Sequence, residues 1–273
     1  MSRPLPLRAE IGRQVRRRRT QLSFGFLVLL PLLLVGAFAL GSDDEDGSGG
    51  APAFVDLAQR GAANFTVFTL FASAGFLLVV LVALFAGDPV PSEASWSTLR
   101  YLLAAPVRRA RLLRSKLAVA GLTSAAALVF LPLWCLAVGT VAYGTGEFQS
   151  PTGQRLTWGE FAVRLLVIVG YLLVNLLFVA CLAFLIGVLT DAPLGAVGGA
   201  VLLTIVSSIL DSISALGDIR EALPTHYQFA WASALQRDIA WTDMQTGALW
   251  SLGYAVVLLW AGFVAFERKD VLS

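Results

Sequence analysis

The chain is 273 residues long, 57% hydrophobic and only 14% charged, with a formal net charge of +2. A soluble domain carries about 25% charged residues, so the composition excludes a water-exposed globular fold and requires surfaces that face lipid or other helices. Cys135 and Cys181 both fall inside apolar runs with no second pair or nearby His, which argues against a disulfide and against a zinc site.

The first element in chain order is basic. Residues 6–21, PLRAEIGRQVRRRRTQ, read as a surface helix ahead of a membrane segment, and arginines beside a bilayer favour anionic headgroups by about 1 kcal/mol each. Six apolar segments then reach the roughly 20 residues that cross a hydrocarbon core: Leu22–Leu40, Ala62–Phe85, Leu117–Val141, Leu165–Leu189, Leu194–Leu216 and Gly247–Phe266. Each is continuous, whereas barrel strands alternate in segments of about 10 residues. The expected fold is therefore all-α, with residues 1–273 forming a single transmembrane domain of six helices. Arg16–Arg19, the first apolar run and Ala37-Phe38-Ala39 imitate a secretory signal, but a run of about 19 residues exceeds the usual 7–15, so cleavage is not expected. Pro31 and Pro132 fall inside the first and third spans and predict kinks.

Between the first two spans, Gly41–Pro52 (GSDDEDGSGGAP) reads as a solvated linker. A calcium loop is excluded because Ser42 and Ala53 fall where acidic ligands are needed. Asn64-Phe65-Thr66 matches a glycosylation sequon at the mouth of the second span, and is attributed to chance. The segment 87–116 follows, with Arg100, Arg108, Arg109, Arg111, Arg114 and Lys116 inside it. Together with the N-terminus and C-terminus it collects most of the Lys and Arg, leaving only Arg60, Arg155, Arg164, Arg220 and Arg237 for the opposite side. The positive-inside rule then predicts both termini in the cytoplasm, as an even number of spans demands. Within the fifth span, Gly195 and Gly199 form a G-x-x-x-G step that permits close helix approach. The external stretch 217–245 holds Pro224, His226, Tyr227, Phe229, Trp231 and Trp241, and predicts one or two short helices dipping into the interfacial belt. His226 is expected to make an interfacial polar contact. Residues 246–273 form the sixth span and a cytoplasmic tail.

Polar groups inside spans are functional candidates because lipid penalises them. Thr66, Thr69 and Ser73 line one face of the second span, Asn175 lies mid-way along the fourth one turn from Tyr171, and Ser208 and Asp211 sit in the outer part of the fifth. These six are the candidate substrate pathway. Arg164 could pair with Asp211 or reach the headgroups. Asp211 is off-centre, which argues against coupling to an ion gradient. No G-x-x-x-x-G-K-[ST], H-E-x-x-H or G-x-S-x-G occurs, so no catalytic, cofactor or metal residues are expected and the chain is read as a non-enzyme. Energy, if required, must come from another subunit.

One segment carries a family likeness. Glu93, Ser97-Thr98, Leu99, Leu102-Leu103, Pro106, Arg108-Arg109 and Lys116 precede the third span, and Phe266-Glu267-Arg268-Lys269-Asp270-Val271 near the end completes the pattern. In these residues, and in its six-span topology, the chain resembles the membrane (permease) subunit of ABC type-2 exporters. Ser97 stands where Gly is commoner in that family. The resemblance implies a coupling helix that enters a groove of a separate ATPase, with ATP and Mg on that partner and none in this chain. It further implies two ATPase copies, a homodimer or a pairing with a related permease, and outward movement of a hydrophobic or amphiphilic substrate (a drug, metabolite or lipid) across the cytoplasmic membrane. The substrate would pass along the first, second and fifth spans. The residues agree: in a helix over 93–105, Trp96, Leu99 and Leu103 share one apolar face beside Arg100, Glu93 favours the helix start and Pro106 ends it. Such a face suits a hydrophobic groove, or alternatively the membrane surface. Two other functions stay open: an ATP-independent secondary carrier, and an anchor or sensor that recruits an ATPase without transport.

Overall fold

The computed structural model describes residues 7–41, 51–92, 109–151, 153–190 and 192–268. A short helix α1 (Leu7–Val15) turns into α2 (Arg18–Gly41), followed by α3 (Ala51–Ala58), α4 (Ala62–Ala74) and α5 (Leu77–Gly87). After residue 108 come α6 (Arg109–Tyr143), the strands β1 (Phe148–Gln149) and β2 (Arg155–Leu156), α7 (Trp158–Asn175), α8 (Leu177–Thr190) and α9 (Pro193–Asp211). Two 3-10 helices, Ser214–Ala222 and Ala230–Leu235, lead into α10 (Trp241–Arg268).

Five helical stretches are long and apolar enough to cross a membrane: α2, α6, α7 continued by α8, α9 and α10. The pair α4 and α5, bent by 59° at their junction, makes a sixth if the two together count as one span. The outward faces carry Leu22, Phe26 and Leu33 of α2, Leu202 and Ile209 of α9, and Val256, Val257 and Trp260 of α10, all exposed. Apolar stripes of that length have no place in water. The chain is a multi-pass, all-α membrane protein apart from one small hairpin. Inside, Phe65 and Leu70 of α4 meet Leu131 and Cys135 of α6, while α5 packs on α8 and α9.

Two expectations need correction. The second span is not one helix over Ala62–Phe85. The hydroxyls of Thr66, Thr69 and Ser73 donate to the carbonyls of Ala62, Phe65 and Thr69 at 2.8, 2.9 and 2.7 Å, and this back-bonding bends helices. Gly75 follows, and the chain turns there. The fifth span stops at Asp211 instead of reaching Leu216, because Ser208 and Ser212 hydrogen-bond back to Thr204 and Ile209 and Ile213 is extended. The stretch 217–245 contains two short 3-10 helices, with Trp231 fully buried while Ile219 and Trp241 stay exposed. Pro31 and Pro132 lie inside α2 and α6, which run on through them.

Several ends are set by local chemistry. α6 is 35 residues long, about 52 Å at 1.5 Å per residue, so it projects beyond a 30 Å core. α7 begins at a capping box in which Glu160 accepts the Thr157 N–H at 3.0 Å while the Thr157 hydroxyl caps Glu160 N–H. Gly199 meets Ile186 of α8, so the glycine step of α9 serves packing within the chain.

Candidate functional site: an ion cluster framing the loop between the second and third spans

The acidic residue that ends the second span organises one end of the bundle. Asp88, just past α5, is 5% exposed. Its carboxylate accepts hydrogen bonds from the guanidinium groups of Arg17 (2.7 Å) and Arg19. Arg17 also reaches Ser92 Oγ at 3.4 Å. On the other side of the gap, Lys116 of α6 is 3% exposed, donates to the Pro89 carbonyl at 3.2 Å and lies 3.7 Å from the Glu10 carboxylate. Glu10 in turn pairs with Arg13 at 2.6 Å. Thus α1 is fastened to the early turns of α6 through Glu10, while the junction of α1 and α2 is fastened to the end of α5 through Arg17 and Arg19. Phe266 near the end of α10 packs with Val90, Leu113, Phe184 and Val188, adding an apolar plug beside the ions.

This frame holds both ends of residues 93–108. Glu93, Trp96, Ser97, Thr98, Leu99, Arg100, Leu102, Leu103, Pro106 and Arg108 lie outside the described residues. Arg109 is the first residue of α6.

The remaining polar candidates do not converge. Thr66, Thr69 and Ser73 are buried and bonded within their own helix. Asn175, at the end of α7, donates to Ser251 Oγ of α10 at 3.3 Å, with both side chains buried. Ser208 is bonded to the Thr204 carbonyl. Asp211 faces His226, Oδ1 to Nδ1 2.5 Å, while its backbone carbonyl accepts from Arg220. Arg164 does not pair with Asp211; its guanidinium gathers the carbonyls of Ala234 (2.8 Å), Gln236 and Arg237. Asn64 has a structural use. Its amide donates to the Gln149 carbonyl at 2.7 Å and accepts the Gln149 N–H at 2.9 Å, so it grips the hairpin.

The segment that follows α9 is tied down by three hydroxyls: Tyr171 to the Tyr227 carbonyl (2.6 Å), Tyr254 to the Ala222 carbonyl (2.7 Å) and Ser207 with Thr225 (2.8 Å). Burial and the carboxylates of Glu221 and Asp243 push the pKa of Tyr227 up, so its hydroxyl stays protonated more readily than a free phenol. α10 passes so close to these rings that a Cβ on Gly247 would collide with Tyr171 Oη and Tyr227 Cβ. Gly247→Ala is expected to cost about 2 kcal/mol, read as a lower apparent melting temperature of the purified protein. Gly253→Ala meets open space and should hold or raise it, because Ala favours the helix by up to about 1 kcal/mol.

The sequence reading missed Asp88 and Glu10. Asp88 had a visible signal: a lone carboxylate closing an apolar run on the side richest in Arg requires a cation. Its partners, 71 and 69 residues away, had none. A family model described as "Protein of unknown function (DUF2705)" matches residues 29–272. No curated protein matches the chain.

Proposed function

The chain belongs to the DUF2705 family of proteins of unknown function, and from its own residues we propose that it is the permease subunit of an ATP-driven exporter of the ABC type-2 kind. The carrying observation is the frame around residues 93–108. Two buried ionic residues, Asp88 and Lys116, anchor the chain immediately before and after that segment. A loop that only joined two spans would need no such frame, whereas one that transmits force needs fixed ends. In a helix over 93–105, the sequence between them would place Trp96, Leu99 and Leu103 on one apolar face ahead of Pro106 and Arg108, which would suit a groove on a soluble partner. The sequence has no phosphate-binding loop of its own, so ATP and Mg belong to that partner. The distribution of Lys and Arg puts this end, with both termini, in the cytoplasm, and the membrane is then the cytoplasmic one. By likeness to the exporters, two copies of the chain would work with two ATPase chains, and the cargo would be hydrophobic or amphiphilic.

Purified from its native membrane in mild detergent, the tagged chain is expected to bring down an ATPase in equal amount. The double substitution Trp96→Asp, Leu99→Asp should reduce that recovery more than tenfold while leaving the melting temperature unchanged. If the ATPase still co-purifies with the double variant and is still stimulated, the docking role is wrong. Transport driven by an ion gradient with this chain alone in liposomes would favour a secondary carrier instead.

A further inference from the structure

At the end of the bundle away from Asp88, the chain encloses a cavity of about 590 Å³ between α3, α4, the β-hairpin and the second 3-10 helix. That volume is typical of small-molecule sites, which combine apolar walls with a few placed polar groups. None of the six polar residues named from the sequence lines it.

The walls are apolar and held open by their own packing. Phe54 of α3 stands 5.3 Å from Phe68 and 5.9 Å from Phe71 of α4, ring centre to ring centre, and Phe71 lies 4.3 Å from Trp231 behind it. Phe54 is 39% exposed, so an apolar edge of the cavity is reachable from outside the protein. The rim is different. Gln154, Gln236 and Arg237 stand there, and among the described residues no carboxylate pairs with Arg237. The backbone that presents Gln236 and Arg237 is fixed by Arg164, which gathers the carbonyls at the end of the 3-10 helix and brings a second guanidinium close by. The hairpin is held by the two-way bond between Asn64 and Gln149. An aromatic slot with a cation at its mouth matches one alkyl chain carrying a negative head.

We propose that this cavity binds a single-chain anionic amphiphile, a fatty acid or an alkyl phosphate, with its tail against Phe68 and Phe71 and its head at Arg237. The site belongs to this chain alone and does not depend on an ATPase partner.

The test uses the full chain in phosphatidylcholine nanodiscs, titrated with radiolabelled myristate, myristyl phosphate or myristyl alcohol against empty discs. Saturable binding of about one anion per chain is expected. Arg237→Gln should weaken both anions about tenfold and leave the alcohol unchanged. Leu57 lines the wall and is half-buried, so Leu57→Trp should fill the slot and remove saturable binding of all three probes. Uptake that rises linearly as in empty discs, binding unaffected by Leu57→Trp, or equal loss of anions and alcohol in Arg237→Gln would each overturn the proposal. A second readout covers the case in which Leu57→Trp misfolds: a dibrominated fatty acid should quench tryptophan fluorescence, and Trp231→Phe should remove part of that quenching. Quenching unchanged in Trp231→Phe would count against the site.

Discussion

Trp231→Ala is expected to destabilise the protein by about 4 kcal/mol, lowering the apparent melting temperature by about 10 °C. The side chain is fully buried and its ring lies 4.3 Å from that of Phe71. Next to it, Phe229 stacks on the other side of Phe71, ring centres 6.1 Å apart, and sits beside Gly75, where the second span bends. Removing the indole therefore opens a void between the second 3-10 helix and the bend itself. Trp231→Phe should behave differently. The indole Nε1 is buried without a hydrogen-bond partner, an arrangement that costs about 1–3 kcal/mol. Phenylalanine keeps most of the ring and removes the orphaned N–H, so the loss should stay within about 1 kcal/mol. Melting curves of the two variants decide it: equal damage from Ala and Phe would mean that the N–H is bonded after all.

Asp88→Asn should destabilise by about 3 kcal/mol, the lower end for stripping one member from a buried ion pair. Asp88 keeps only 6% of its side chain exposed and Arg17 25%, whereas Arg19 is 58% exposed. The Arg17 contact therefore carries most of the effect, since exposed pairs contribute only about 0–1 kcal/mol. A double-mutant cycle of Asp88→Asn with Arg17→Gln should return a coupling of about 1–3 kcal/mol, and the same cycle with Arg19→Gln well under 1. ATPase recovery should fall in Asp88→Asn by more than the stability loss explains, because the segment that follows Ser92 loses its anchor. Normal recovery would detach the ion cluster from coupling.

How much of this was readable beforehand differs by element. The spans were legible because lipid solvation acts on each segment separately, and a run such as Leu165–Leu189 needs no partner to be recognised. The break at Gly75 was not, although its chemistry was in view: Thr66, Thr69 and Ser73 share a helix face, and a polar face reads equally as a pathway or as back-bonding. Only the packed neighbour, α6 with Cys135 beside Thr69, decides between them. The aromatic stretch was only partly legible for a related reason. Trp and Phe are equally at home in a headgroup layer and in a core, so Trp231 could be placed only once Phe71 was seen against it. The cavity had no sequence signal, because its walls come from a linker-side helix, a hairpin and a 3-10 helix that meet only in the fold. Glu93 to Arg108, the residues proposed for coupling, lie outside the described residues, but the ions on either side of them are described.

The bend in the second span also bears on how the chain is made. α4 has 13 residues and α5 has 11, about 20 and 16 Å of helix, and neither reaches across a 30 Å hydrocarbon core by itself. As the ribosome delivers them, each half is too short to be retained in lipid alone, so a pair that crosses as one span has to enter together and gain its permanence from α6, which is synthesised later and packs against both halves.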